Sequence, residues 1–343
     1  MIKNQVLIIA EAGVNHNGSL ETAKQLVDVA SEAGADMVKF QTFSADRLVT
    51  ISANKAEYQN QTTDDSESQH AMIQKFELSR EMHEDIIAYC KQYNIEFFST
   101  GFDTQSIDML VDLGLGLFKI PSGEITNLPY LKHIGRMGKP IIMSTGLMNL
   151  DELEKSVLFI KNIWQKNHNK EELALLHCVS SYPTLLEDAN LLAISELEQI
   201  ADVVGYSDHT LGIEAAVTAV AVGARIIEKH FTIDNNYSDF HDHKLSANPK
   251  DFKEMVKRIR IAKKMLGSGK KQPTNKEKDN KKKIRRSIVA KHDLKSGHIL
   301  TFDDLNWVRP GGGVRPGDEE TIIGEKLTNG IKAGELIELN NLV

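Results

Sequence analysis

The chain has 343 residues, 41% hydrophobic and 26% charged, with a formal net charge of -7. That length suits one large domain with a small one beside it, and the acidic balance argues against nucleic acid as a main partner. No apolar run reaches membrane-spanning length, and two cysteines are too few for a disulfide framework, so a reducing cytoplasm is the expected compartment.

The first apolar run, VLIIAEAG (6–13), meets Glu11 at once and reads as a strand, not a signal peptide. Seven more follow: MVKFQTF (37–43), IEFFSTGF (95–102), LFKIPSGE (117–124), PIIMSTGL (140–147), LALLHCVSSYP (173–183), VVGYSDHT (203–210) and ARIIEKHFT (224–232). Each precedes a segment with apolar spacing near 3.6, such as LETAKQLVDVASEAG after the first and DFKEMVKRIRIAKKML after the last. Strands buried on both faces are continuously apolar in this way. Eight β-α units in about 265 residues predict a (β/α)8 barrel over residues 1–267. A doubly wound open sheet is the structural alternative, but it gives no reason for polar residues to end all eight runs. The connection 46–78 is long and includes KAEYQNQTTDDSESQ; a lid is its functional reading and a disordered loop its structural one.

After Gly267 comes GSGKKQPTNKEKDNKKKIRR, lysine-rich and without periodicity, which reads as a linker over 268–283. Its charge run is better taken as solvated than as a nucleic-acid patch, given the net charge. SIVAKHDLKSGHILTFDDLNWVRPGGGV and GEKLTNGIKAGELIELNNLV then alternate brief strands with glycine-centred turns, predicting a small β-rich domain at 284–343.

In a barrel, the C-terminal strand ends build the active site. They carry, in order, Glu11; Lys39 and Gln41; Thr100; Lys119, Ser122 and Glu124; Ser144 and Thr145; His177, Ser180 and Tyr182; Ser207 and His209; and His230. Lys39 and Lys119 sit inside apolar runs, where an unpaired cation is costly, so each is expected to face an anion. Two lysines among hydroxyls suit a phosphate or carboxylate ligand; ion pairs with Glu11 and Glu124 are the structural alternative. A Schiff-base lysine is a further chemistry, less favoured than metal assistance beside paired histidines. His209 and His230 end the two strands of one β-α-β unit, close enough to share a divalent metal with open positions for substrate. Glu11 is the oxygen partner, on the metal or on the substrate. His177 and Cys178 point to opposite faces, and Cys178 is assigned to the core. Gly311, Gly312 and Gly313 lack the Gly-Lys-Ser/Thr of a Walker loop. Of the arginines flanking them, Arg309 is a candidate anion or sugar contact and Arg315 reads as plain surface.

The motifs IIAEAGVNHNGS, VKFQTF, FKIPSGEITNLP, IIMSTGL, LLHCVSSYPT, GYSDHT and EKHFT together resemble the sialic acid synthase family, which makes N-acetylneuraminate, legionaminate and pseudaminate from phosphoenolpyruvate. The C-terminal segment resembles the SAF, or antifreeze-like, domain. The resemblance covers nearly the whole chain and implies a (β/α)8 barrel plus SAF domain in a domain-swapped homodimer. It implies Mn²⁺ or Mg²⁺ on His209 and His230, and phosphoenolpyruvate on Lys39, Lys119, Ser122, Ser180 and Ser207. Glu11, Gln41, Thr100, Glu124, Tyr182 and Asp242 would contact an N-acetylated amino sugar, and Arg309 would reach the site of the partner subunit. Glu11, Glu124, Lys39 and Lys119 form the expected catalytic group. In the implied reaction C3 of phosphoenolpyruvate attacks C1 of the open-chain sugar, water adds at C2, and phosphate leaves by C–O cleavage.

The chain departs from the family pattern at three places. Gly101 stands where many relatives have proline, Ser180 replaces an asparagine of some members, and SDFHDHKLSANP (238–249) stands where relatives read GPDH, with Asp242 retained. Phe240 and His241 in that loop either contact an extra sugar substituent or pack the loop. The expected function is an N-acetylneuraminate synthase acting on N-acetylmannosamine. The alternative is a legionaminate or pseudaminate synthase acting on a 2,4-diacetamido-trideoxyhexose. A non-catalytic carbohydrate- or ice-binding protein has no need of two metal-site histidines and two buried lysines, and a metal-dependent aldolase on the same barrel would use pyruvate instead.

Overall fold

Apolar side chains on both faces of a strand require cover on both sides, and a ring of parallel strands inside a ring of helices provides it. The structure is a computed structural model, and it describes residues 5–53, 68–238 and 241–343. The strands are β1 (Leu7–Gly13), β2 (Met37–Thr42), β3 (Glu96–Gly101), β4 (Phe118–Ile120), β5 (Ile141–Ser144), β6 (Leu173–Cys178), β7 (Val203–Asp208) and β8 (Ile226–His230). Their ladder runs β3-β2-β1-β8-β7-β6-β5-β4, with every pairing parallel, and β3 packs beside β4 where the ring meets. This is the expected (β/α)8 barrel.

The helices between the strands are α1 (Leu20–Ala33), α2 (Ala45–Leu48), α3 (Gln69–Gln74), α4 (Arg80–Gln92), α5 (Thr104–Asp112), α6 (Leu128–Arg136), α7 (Leu150–Lys166), α8 (Ala193–Leu197) and α9 (Glu214–Ala221). After β8 come α10 (His241–Leu245) and α11 (Pro249–Leu266). Local signals set their ends. Ser19 caps α1 by accepting from Thr22 N–H, and Asn149 and Glu152 form a reciprocal capping box on α7. The expected lid falls largely on residues 54–67, which lie outside the described residues, as does Phe240. Among the described residues no helix is long and apolar enough to cross a membrane.

Register places the polar strand ends in one layer. Glu11 pairs with Lys39 on one side and His230 on the other. Gln41 pairs with Thr100, Cys178 with Ser207, and Ser207 with Glu228. Strand alternation then turns these side chains toward the barrel axis and their neighbours toward the helices.

The chain divides into two compact units, Met1–Gly267 and Ser268–Val343. The stretch read as an aperiodic linker is in fact helical over α12 (Asn275–Ile284), capped by a Thr274–Glu277 box and exposed throughout. Helix-forming Lys and Glu with a cap at each end explain what apolar periodicity alone missed. Antiparallel strands β9 (Ser287–Ala290) and β10 (Leu305–Val308) follow, around a core that includes Ile288, Leu300, Leu305, Ile322 and Ile337.

Asp304 organises this second unit. Its buried carboxylate accepts from His292 Nε2 (2.9 Å), His298 Nε2 (2.9 Å), Thr301 N–H (2.8 Å) and Thr301 Oγ1 (2.7 Å). Burial alone would raise this carboxyl, but His298 and Thr301 outweigh it and hold it below the ordinary 3.8. A depressed carboxylate stabilises the fold above its unfolded pKa and loses that contribution as pH falls below it. Asp304→Asn is therefore expected to cost about 1–3 kcal/mol at neutral pH and less below pH 3.8. Acid titration of Trp307 fluorescence in a Trp164→Phe background checks this; equal losses at pH 7 and pH 3 would contradict it.

Candidate active site

The inward layer opens into a cavity of about 210 Å³ at the C-terminal end of the strands. Its walls include Glu11, Lys39, Gln41, Thr100, Lys119, Ser122, Ser144, Cys178, Ser180, Tyr182, Ser207, His209, Glu228 and His230. A larger cavity of about 570 Å³ lies in the second unit beside Gly312 and Arg315, but its charged side chains are all exposed. Chemistry, not size, selects the barrel site.

Two buried lysines and two buried carboxylates form its floor. Lys39 Nζ lies 3.2 Å from Glu11 Oε2 and 2.9 Å from Glu228 Oε2, and donates to Thr100 Oγ1 at 3.2 Å. Lys119 Nζ donates to Ser144 Oγ at 2.7 Å and stands 3.6 Å from Glu228 Oε1. Ser207 Oγ donates to the same carboxylate at 2.9 Å, and Gln41 Nε2 to Glu11 Oε1 at 3.3 Å. Burial would raise the Glu228 carboxyl, but Lys119 and Lys39 outweigh it and hold it at about 2. Burial does raise Glu11, to about 7, with Lys39 opposing and Glu228 adding. Burial also lowers Lys119 against the pull of Glu228, whereas at Lys39 the two carboxylates outweigh burial and raise the ammonium. The lysines favour the ionised form of Glu228 while burial disfavours that of Glu11, the kind of contrast that acid–base chemistry uses.

Two imidazoles form the other wall. The rings of His209 and His230 are 5.7 Å apart, and Tyr182 packs 4.2 Å from the first and 6.4 Å from the second. His209 Nδ1 donates to the Val179 carbonyl at 2.8 Å, so Nε2 is the nitrogen available to a metal. Nδ1 of His230 is buried without a hydrogen-bond partner. Burial, with Asp242 opposing, keeps that ring neutral by lowering it to about 3. Gly13, at φ 53°, makes room for it: a Cβ there would sit 3.3 Å from the His230 ring. Among the described residues no group of three or more His, Cys, Asp or Glu is arranged to hold a metal. Two nitrogens, one of them otherwise unpartnered, fit an ion that takes its remaining ligands from substrate and water.

Several sequence expectations change here. Cys178 is not a core residue: its sulfur lies 3.7 Å from His209 Nδ1 and 3.8 Å from Ser122 Oγ, in the cavity wall. His177 is the one turned outward, bonded to the Ala189 carbonyl and stacked on Tyr206. The alternation was right and its phase was wrong. Lys119 pairs with Glu228, not with Glu124, which accepts from Asn127 Nδ2 and is outside the cavity wall. Thr145 Oγ1 donates to the Leu176 carbonyl and faces away. Asp242 is buried on α10 beyond the wall, and Arg309 is exposed just after β10 in the second unit. Glu228 went unassigned, although it stands two residues before His230 on one strand and so shares its face.

Residues 26–271 match the NeuB family. The chain belongs to that family. Residues 285–343 match the SAF domain. Among similar NeuB-family relatives is an N,N'-diacetyllegionaminic acid synthase of Campylobacter jejuni, 46% identical over 335 residues, covering 97% of this chain and 99% of the relative. A protein of the same name from Legionella pneumophila is 46% identical over 328 residues, covering 95% and 92%. A solved N-acetylneuraminic acid (sialic acid) synthetase of Leptospira borgpetersenii, in complex with citrate, is 34% identical with a TM-score of 0.71, covering 80% of this chain and 90% of that one.

Proposed function

We propose that this chain is a metal-dependent N,N'-diacetyllegionaminate synthase, condensing phosphoenolpyruvate with 2,4-diacetamido-2,4,6-trideoxymannose and releasing phosphate. The observation that carries the substrate is the pair of 46%-identical relatives of that name, against 34% for the sialic acid synthetase. This acceptor replaces the N-acetylmannosamine expected from the motifs.

The site supports the chemistry residue by residue. Lys39 and Lys119 receive the phosphate and carboxylate of phosphoenolpyruvate, with Ser122, Ser180 and Ser207 donating beside them. A divalent metal on His209 and His230, Mn²⁺ or Mg²⁺, supplies Lewis-acid polarisation of the sugar aldehyde when bound. The C2–C3 π pair forms a bond to C1 of the sugar as the aldehyde C1–O π pair moves onto its oxygen. Water adds to the cationic C2; one of its protons passes to Glu11, which hands it to the sugar C1 oxygen to make a hydroxyl. The C2–O bond to phosphate then breaks as the new C2 hydroxyl gives up its proton, which leaves with inorganic phosphate, and a ketone remains. Gln41, Thr100 and Tyr182 contact the sugar within the cavity, and Asp242 and Glu124 contact the part of it that extends beyond the cavity wall. A cytoplasmic, domain-swapped homodimer belongs to the same reading, with Arg309 serving the partner subunit's site. Arg309→Ala is then expected to raise the KM for sugar about tenfold with little change for phosphoenolpyruvate. An unchanged sugar KM would make Arg309 a bystander.

The deciding test is phosphate release from phosphoenolpyruvate with Mn²⁺, offering the diacetamido sugar and N-acetylmannosamine separately, with mass spectrometry of the products. Product from the diacetamido sugar is expected. Product from N-acetylmannosamine alone would return the protein to the sialate branch.

A further inference from the structure

The chain leaves the site at the end of β8 and returns to it through α10. Asp242 and His243 are neighbours on that helix, both buried, His243 completely. The Asp242 carboxylate is near enough to act on the His230 imidazole through its charge. His243 spends both ring nitrogens on other parts of the barrel. Nδ1 pairs with the Thr232 hydroxyl at 2.7 Å, just past β8, and Nε2 with Asn17 Oδ1 at 3.1 Å. Asn17 lies 226 residues away, in the β1–α1 turn, held at φ 50° and bonded through its N–H to the Val14 carbonyl.

Asn15 joins the same two loops, and further bonds fix the segment from β8 to α11 on itself. Asn15 Nδ2 donates to the Phe231 carbonyl (2.8 Å) and to Ser246 Oγ (3.0 Å). Asn235 Nδ2 donates to the carbonyls of His243 and Ser246, each at 2.8 Å. Ala247 N–H donates to the His230 carbonyl at 2.9 Å, returning the chain to the strand it left. Burying a polar ring is costly unless its nitrogens are satisfied, and here satisfying them fixes α10 against the β1–α1 turn.

We infer that His243 is a positioning residue for the sugar site: by joining Asn17 to Thr232 it holds its neighbour Asp242 in place beside His230. This rests on the synthase reading above, in which Asp242 contacts the acylated amino sugar. Residues that orient a contacting group cost activity when removed, although they touch no substrate themselves.

The test is steady-state kinetics of the full chain with Mn²⁺, phosphoenolpyruvate and the diacetamido sugar. His243→Ala is expected to raise the sugar KM about tenfold and leave the phosphoenolpyruvate KM within about twofold. His243→Gln, which keeps an amide for Asn17 and Thr232, is expected to recover part of the loss. In an Asp242→Ala background, removing His243 is expected to change the sugar KM less than about twofold, because the group it positions is gone. Should His243→Ala fail to fold, Asn17→Ala removes one of the two bonds from a half-buried turn and carries the same KM split. Equal rises in both KM values, no rise at all, or full additivity with Asp242→Ala would each overturn the inference. A wild-type chain that releases no phosphate with any acylated amino sugar sinks the synthase reading itself. An active wild type with unaffected variants sinks the positioning role alone.

Discussion

His230→Ala is expected to lower turnover by roughly a thousandfold or more while leaving the barrel folded, because Lewis-acid stabilisation is worth several kcal/mol. The structural cost is small for a specific reason. Nδ1 of His230 has no hydrogen-bond partner to lose. His209→Ala should cost the same turnover and somewhat more stability, since the bond to the Val179 carbonyl goes with it. Metal content separates the assignment from a general loss of activity. Wild type dialysed against Mn²⁺ should retain the ion, and each variant should retain much less. Stripping wild type with a chelator should stop phosphate release, and added Mn²⁺ should restore it. Full turnover in a chelated enzyme, or unchanged metal retention in both variants, would remove the two histidines from the metal assignment.

The barrel was legible because its signal is redundant. Eight apolar runs, eight helical patterns and polar residues at every strand end point to one architecture, and an error in any one of them leaves the rest standing. The side of each strand was less legible. Cys178 and His177 differ by one residue, and neither hydrophobicity nor position in the run says which faces the axis; register against Ser207 does. Counting back two from His230 would have found Glu228, but a glutamate inside an apolar run is also what an outward-facing pair looks like. Lys229, one residue on, is such a case. The α12 helix was invisible to apolar periodicity because it buries nothing, and its signal lay in the cap residues. The ties from Asn15 and Asn17 to Ser246 and His243 join opposite ends of the barrel sequence, and no local pattern encodes them.

Lys119 and Lys229 are both 2% exposed, yet replacing each with methionine is expected to have opposite consequences. Lys229 is outside the ring. Its Nζ donates to Asp208 Oδ2 at 2.9 Å and to the Thr210 carbonyl at 2.8 Å, in a pair sealed from water. Removing it takes the cation from a buried carboxylate and leaves Asp208 only the Thr210 N–H and hydroxyl on Oδ1, so Lys229→Met should cost about 3–5 kcal/mol of stability with little change in the KM for phosphoenolpyruvate. Lys119 lies inside the ring, where burial already disfavours its charge. Its removal leaves Glu228 paired with Lys39 at 2.9 Å and with Ser207, so no carboxylate is orphaned. Lys119→Met should therefore leave stability nearly unchanged, or raise it, while kcat/KM for phosphoenolpyruvate falls by roughly a hundredfold to a thousandfold. Denaturant unfolding together with kinetics on the two variants decides the matter. Equal destabilisation by both would mean that Glu228 needs Lys119 for the fold itself, and the Lys39–Lys119 pair would then be a structural cluster before it is a phosphate site.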